Sequence, residues 1–182
     1  MSEYRNGSET ARNAARDARS EATDNSSEME SYYLQPGYIY ASHEGIFLNT
    51  VLGSCVAVAI WDCRNMFGGM CHFIYPYQEK NARNARYGDV AVPYLIRLMQ
   101  ELGSRRHELK AHVAGGGTNP ELSSGVGERN SRIAEELLRR QNIEIVTRDV
   151  GGETGKKISF NTQTGELLVY TTSRIREADW YR

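Results

Sequence analysis

Apolar runs separated by polar turns predict most of the secondary structure of this chain. Residues 56–61 and 70–75 are unbroken apolar runs, which is typical of strands buried on both faces, and residues 46–52 form a further apolar strand. Two stretches, 89–102 and 127–141, instead place apolar residues at intervals of three or four, which predicts amphipathic helices. Shorter strands are predicted at residues 109–113, 143–146, 157–160 and 167–170.

The order of these elements indicates the fold class. Strands cluster before and after the two helices rather than alternating with them, which favours an α+β fold over a series of βαβ units. We expect mixed, largely antiparallel β layers with the two main helices packed on one side. The last two strands, 157–160 and 167–170, are separated by a turn at Gly165 and predict a hairpin.

Composition divides the chain into one domain and two tails. Residues 1–30 carry almost no large apolar side chains, so burial cannot offset the entropy of ordering them, and they are predicted to be disordered. Within them, residues 10–22 are rich in helix formers and suit a transient or partner-bound helix. The ordered domain is predicted at 31–173, followed by a polar C-terminal tail at 174–182.

Charge and hydropathy exclude several classes of function. The formal net charge is −1 and both signs are interspersed, so the chain shows no electrostatic footprint for nucleic acid. No window approaches the ~18 consecutive apolar residues of a membrane span, and the N-terminus lacks the apolar core of a signal peptide. We therefore expect a cytoplasmic protein that is not membrane-embedded, with its three cysteines kept as thiols.

The two buried strands predict a hairpin that brings a cysteine and a histidine together. If Cys63 and Arg64 form a two-residue loop, Cys55 lies directly opposite His72, with Cβ atoms about 4.5 to 5.5 Å apart. A loop longer by two residues makes them diagonal neighbours about 7 to 8 Å apart instead. A bulge at residues 68–69 is a further alternative that would shift the register.

A glycine turn precedes the cysteine. Gly53 breaks the strand at 46–52, and a sharp turn there leaves the amide N–H groups of Ser54 and Cys55 unpaired, as an oxyanion hole requires. Thiol, base and amide donors converging in this way suit acyl transfer at a carbonyl. Cys55 is then the nucleophile and His72 its general base.

Several short motifs follow one another from this turn to the end of the domain. They are TVLGSCVAV at 50–58, GGMCHF at 68–73, YGDVAV at 87–92, AGGG at 114–117, VGERN at 126–130 and DVGG at 149–152. In this order they resemble the CheD family of chemoreceptor glutamine deamidases, over about residues 38–171. The resemblance implies helices packed on a β-sandwich-like core, the CheD-like α/β sandwich.

The resemblance also implies a Cys-His-Thr triad. Cys55 and His72 match the family's cysteine and histidine. The threonine is assigned to Thr50, five residues before the cysteine, while Asn49, six residues before it, is the alternative that would orient the imidazole. Ser54, Gly53 and Asn49 are expected to line the oxyanion or the substrate.

An activity and partners follow from the same resemblance. It implies conversion of specific glutamine side chains of methyl-accepting chemotaxis receptors to glutamate, with release of ammonia and without a cofactor or a metal. It also suggests a regulatory partner, a phosphatase of the CheC type. A non-catalytic adaptor that docks such a phosphatase or the receptors is the alternative function.

A metal site is the other alternative weighed. Cys55, Cys63, Cys71 and His72 are the candidate ligands, but their spacing misses the Cys-x₂₋₄-Cys pattern. The neighbouring strand residues 71 and 72 also point to opposite faces, which places Cys71 in the core. The sequence therefore favours catalysis over metal binding.

Other candidate residues lie outside the hairpin. His107 and His112 are far from the hairpin in sequence and could act in catalysis only if the fold brings them close to it. The hairpin already supplies a base, so a catalytic role for them is not favoured. Arg129 and Asn130 either bind a substrate amide or cap the second helix, and capping is favoured. The glycines at 115–117 are expected to approach the active-site turn closely. The polar stretch at 77–86 is either a loop that contacts a protein substrate or a plain solvated connection.

Overall fold

The computed structural model describes residues 29–79, 84–118 and 125–172. In this part of the chain the strands are β1 Glu30–Tyr33, β2 Ile39–Ser42, β3 Ile46–Leu52, β4 Val56–Asp62, β5 Phe67–Phe73, β6 Leu109–Gly115, β7 Glu144–Val150, β8 Gly155–Asn161 and β9 Leu167–Thr172. The α-helices are α1 Gly88–Glu101 and α2 Val126–Arg140, and a short 3₁₀ helix spans Arg106–Glu108. The predicted tails at 1–30 and 174–182 fall almost wholly outside the described residues, so both stay predictions.

The strands form two sheets. A four-stranded sheet has the order β1-β3-β8-β9, and a five-stranded sheet has the order β2-β5-β4-β6-β7. The pairs β1–β3 and β6–β7 are parallel, and the other pairs are antiparallel. The predicted α+β class and its largely antiparallel strands are confirmed, as is the β8–β9 hairpin.

Two hydrophobic cores separate three layers. The first core lies between the helices and the five-stranded sheet, and the second lies between the two sheets. Neighbouring strand residues point to opposite faces, so β4 and β5 contribute to both cores. Val58 and Cys71 belong to the first core, while Ala57 and Met70 belong to the second. This double burial explains the unbroken apolar runs of the two strands and confirms the core position of Cys71.

The β4–β5 hairpin has a longer loop than the two residues predicted for it. Asp62 pairs with Phe67, which leaves four residues, 63–66, in the loop. The Asp62 carboxylate accepts the backbone N–H groups of Arg64 and Asn65 at 3.0 and 2.8 Å, and Met66 adopts a φ of 57°. An aspartate that accepts hydrogen bonds from the residues after it favours this wider turn, which is why the two-residue loop is wrong.

The longer loop shifts the register of the hairpin by two residues. Ala57, and not Cys55, lies directly opposite His72. The direct Cys55–His72 pairing is therefore wrong, and the diagonal arrangement of the longer loop is the one observed. Gly68 and Gly69 stay in register with β4, so no bulge forms there. Because the shift is by two positions, Cys55 and His72 remain on the same face of the sheet.

The helices begin and end within one residue of the predicted bounds. Their apolar stripes cover the five-stranded sheet through Val92, Leu95 and Met99 of α1 and through Ile133 and Leu138 of α2. This confirms that both helices pack on one side. In the described ranges, no helix has the length and apolar character that crossing a membrane requires.

Candidate active site

The candidate site lies between the two sheets, at the end of the hairpin where β4 and β5 part. Cys55 stands directly before β4 and is 9% exposed. His72 is the second-last residue of β5 and is completely buried. Thr50 comes from β3 in the opposite sheet and is completely buried as well. The stacking of the sheets brings Thr50 to His72. Cys55 lies diagonally across the hairpin from His72, on the same face, and makes no hydrogen bond to its Nε2.

The contact across the sheets is made by Thr50. Its Oγ1 lies 2.9 Å from Nδ1 of His72. The neighbouring Asn49 lies on the opposite face of β3, where its Nδ2 donates to Ser31 Oγ at 2.6 Å. Adjacent strand residues face opposite sides, so only one of the two can reach the space between the sheets. Of the two candidates, Thr50 contacts the imidazole and Asn49 does not.

The surroundings of His72 indicate which ring nitrogen carries the hydrogen. Nδ1 lies 3.4 Å from the backbone oxygen of Leu34 as well as 2.9 Å from Thr50 Oγ1. A carbonyl oxygen only accepts, so a hydrogen on Nδ1 serves both contacts. Nε2 then keeps a lone pair, and this buried atom has no hydrogen-bond partner among the described residues. The imidazole is thus arranged to accept a proton on Nε2.

Burial moves the pKa values of Cys55 and His72 in opposite directions. Desolvation raises the pKa of the Cys55 thiol to about 11, and the N–H of Cys55 itself acts against this rise. Desolvation lowers the pKa of His72 to about 4, partly opposed by the Leu34 carbonyl. Both shifts favour the uncharged forms, a thiol and a neutral imidazole.

The turn before Cys55 is fixed through its carbonyl groups. The N–H of Gly117 donates to the oxygen of Gly53 at 2.8 Å, and the N–H of Gly116 donates to the oxygen of Cys55 at 2.7 Å. Within the described part of the chain, the N–H groups of Ser54 and Cys55 donate to no backbone acceptor. Anchored carbonyls with uncommitted amides are what an oxyanion hole requires.

The glycines after β6 allow this anchoring. A Cβ added at Gly115, where φ is 107°, would lie 2.3 Å from the oxygen of Cys55. A Cβ at Gly117 would lie 3.1 Å from the oxygen of Gly53. Any larger side chain at Gly115 would push the turn away from the end of β6. The predicted close approach of residues 115–117 to the active-site turn is confirmed.

Asn130 of α2 holds the same turn from the helix side, a role that the sequence pattern does not predict. The residue is completely buried, and its Nδ2 donates to the oxygen of Ser54 at 2.9 Å and to the oxygen of Ile74 at 2.7 Å. The favoured capping role is wrong, because the N-cap of α2 is Gly125 and no side chain caps the helix. Asn130 precedes Ile133 and Ala134 by three and four positions, so it continues the apolar stripe, and that placement was a detectable signal.

His112, His107 and Cys63 lie away from this site. His112 is opposite Ala59 and packs against the ring of Phe160, about 13 Å along β4 from Cys55 at ~3.3 Å per residue. His107 is exposed beside Glu108. Cys63 is exposed in the hairpin loop at the opposite end of β4. Among the described residues, no group of three or more His, Cys, Asp or Glu side chains is arranged to hold a metal ion.

Comparison with known proteins gives a consistent result. A family model described as CheD chemotactic sensory transduction matches residues 75–171. A protein of Rhodospirillum rubrum is 42% identical over 146 residues, which covers 79% of this chain and 83% of that protein. A protein of Trichlorobacter lovleyi is 38% identical over 147 residues, covering 79% of this chain and 91% of that protein. Both relatives are named "Probable chemoreceptor glutamine deamidase CheD". With a family match over more than half of its 182 residues and relatives of this similarity, this chain belongs to the CheD family.

Proposed function

We propose that this protein is a protein-glutamine glutaminase, an amidohydrolase of the Cys-His-Thr type. It converts glutamine side chains of methyl-accepting chemotaxis receptors to glutamate and releases ammonia. The observation that carries the proposal is the Thr50–His72 contact of 2.9 Å, which leaves Nε2 of the imidazole unpartnered among the described residues on the face shared with Cys55. The printed names of the relatives supply the substrate class.

The chemistry starts from a neutral pair. His72 Nε2 takes the proton of the Cys55 thiol as sulfur attacks the carboxamide carbon, and Thr50 Oγ1 accepts the Nδ1–H of the resulting imidazolium. The N–H groups of Ser54 and Cys55 donate to the developing oxyanion. The imidazolium then protonates the departing ammonia. Water, activated by the same imidazole, hydrolyses the thioester to glutamate and restores the thiol.

The pKa values favour proton transfer coupled to attack rather than a stored thiolate. A thiol with a pKa of about 11 beside an imidazole with a pKa of about 4 leaves almost no ion pair at rest. Because a thiolate and an imidazolium stabilise each other in a site of low dielectric, the charges form together as substrate closes over them. The resting enzyme is thereby protected from reactions of an exposed thiolate.

Hydrolysis, proteolysis and transglutamination pass through the same acyl-enzyme, so the triad alone does not select deamidation. The names of the relatives favour deamidation of chemoreceptors. Receptor glutamines on a cytoplasmic helical surface would meet the enzyme in the cytoplasm. A phosphatase of the CheC type remains the proposed regulatory partner, from the family resemblance.

The test is deamidation of a purified chemoreceptor cytoplasmic fragment, followed by mass spectrometry of its glutamine-bearing peptides. We expect the wild-type protein to convert specific glutamines to glutamate, and Cys55→Ala and His72→Ala to leave them unchanged. Cys63→Ala is the matched control, because Cys63 is an exposed thiol at the opposite end of β4. Turnover by Cys55→Ala would refute the assignment of the nucleophile. Receptor binding without turnover by the wild type would favour the adaptor function.

A further inference from the structure

Beyond the triad, the point where β4 and β5 separate is held by one side chain. The last pair of the ladder is Val56 with Phe73. Past that pair, the oxygens of Ser54 and Ile74 have no partner strand, and the carboxamide of Asn130 fills the gap. Its one nitrogen donates to both oxygens, at 2.9 and 2.7 Å. The orientation of the amide is fixed by chemistry, because a flipped group would set Oδ1 against two acceptors.

The two bridged oxygens belong to the segments that carry the reacting groups. Ser54 directly precedes Cys55, and Ile74 follows His72 by two residues. The other anchors of the turn, the N–H groups of Gly116 and Gly117, connect it to the end of β6 and not to the strand of His72. Asn130 therefore sets the spacing between nucleophile and base at the place where the β4–β5 ladder no longer does.

Asn130 also carries an unfavourable feature. Its Oδ1 is buried and has no hydrogen-bond partner among the described residues. A buried unpaired acceptor is destabilising, and such groups in native structures call for an explanation. Ordinary helix packing at this position needs only an apolar side chain like those of Ile133 and Ala134, three and four residues on. The two donated hydrogen bonds give a reason for an amide in the core.

We propose that Asn130 is a positioning residue, which holds the Cys55 turn against the His72 strand so that sulfur and imidazole meet at the distance that proton transfer requires. This rests on the proposed function, because it concerns the same thiol and base. Its effect falls on kcat, since Asn130 is completely buried and does not touch the substrate. Misplacement of reacting groups by about 1 Å costs on the order of 100-fold in rate.

The experiment compares kcat and KM for deamidation of a receptor fragment by the full chain and its variants. Asn130→Ala removes both donors, and Asn130→Ser keeps a hydroxyl that is too short to bridge both oxygens. Ile133→Val, on the same buried face of α2, is the control that loosens helix packing without reaching the turn. Circular dichroism at the assay temperature selects conditions under which every variant is folded.

We expect both Asn130 variants to lose at least about tenfold in kcat with KM changed less than about twofold, and Ile133→Val to keep both constants within about twofold. If Asn130→Ala does not fold, Asn130→Ser carries the comparison. Either folded variant with wild-type kcat, or with a raised KM alone, overturns the positioning role. Failure of the underlying function is distinct, because in that case the wild type would not deamidate the fragment or Cys55→Ala would still do so.

Discussion

Removing the hydroxyl of Thr50 is the most exacting test of the site, because this group reaches His72 from the other sheet. Thr50→Val keeps the branched shape and replaces only the Oγ1 that lies 2.9 Å from Nδ1. In the resting state the Leu34 oxygen, 3.4 Å from Nδ1, still accepts the hydrogen of the imidazole after the hydroxyl is removed. We therefore expect the free energy of unfolding to fall by only about 1 kcal/mol. Protein folding should thus survive the change.

The effect on turnover comes from the charge that the imidazole carries only during the proposed reaction. A hydrogen bond to a charged group contributes about 1.5–3 kcal/mol, compared with about 1 kcal/mol for the neutral bond of the resting state. The barrier rises by the difference, roughly 0.5–2 kcal/mol, which lowers kcat by about 2- to 30-fold at ~1.36 kcal/mol per factor of ten. KM should stay near the wild-type value, because Thr50 is completely buried and makes no contact with solvent.

Steady-state deamidation of a receptor fragment measures this effect, with two control variants. Thr50→Ser retains the hydroxyl, so its kcat should stay near the wild-type value and above that of Thr50→Val. Asn49→Ala removes the side chain that donates to Ser31, on the other face of β3, and should leave kcat unchanged. A Thr50→Val enzyme with wild-type kcat, or an Asn49→Ala enzyme with the larger loss, would contradict the assignment of Thr50 as the residue that orients the imidazole.

Two further predictions follow from the buried thiol and imidazole. Burial lowers the pKa of His72 to about 4, so the folded state should lose stability as the pH falls from about 6.5, the pKa of an unfolded histidine, toward 4. Urea unfolding at pH 7 and pH 5 measures this loss, which should be smaller for His72→Gln than for the wild type. Burial raises the pKa of Cys55 to about 11, so iodoacetamide at pH 7.5 should label the exposed Cys63 first and Cys55 much more slowly. Peptide mass spectrometry follows both labelling rates. Equal rates would show that the resting Cys55 thiol is already activated.

The sequence predicted the strands of the hairpin but not their register, and the reason is local. Apolar content identifies buried strands whatever their alignment, whereas alignment is decided by the turn. Here the Asp62 carboxylate accepts two backbone N–H groups and widens the loop to four residues. An aspartate at the end of a strand is compatible with several turns, so the pattern alone left two loop lengths open.

The candidate site was predictable in part. Cys55 and His72 came from one hairpin, so their shared face followed from the period of two in a strand. The partner of His72 comes from a different sheet, and no local pattern shows which residue of β3 faces β5. Family resemblance, rather than spacing, supplied Thr50. For Asn130 the pattern predicts the wrong role, because an asparagine near a helix start favours a cap, although the residue continues the buried stripe of α2.

The burial of Cys55, His72 and Thr50 makes the proposed proton transfer depend on bound substrate. In the resting protein Cys55 is 9% exposed, and His72 and Thr50 are completely buried, so the three residues are shielded from bulk water. In the proposed mechanism, proton transfer from Cys55 to His72 creates two charges, which a dry site stabilises only when they form side by side and when donors meet the oxyanion. The N–H groups of Ser54 and Cys55, which donate to no backbone acceptor in the described ranges, can supply such donors to a carbonyl that enters the turn. A substrate glutamine is therefore needed to complete the electrostatics of the site as well as to provide the reacting bond.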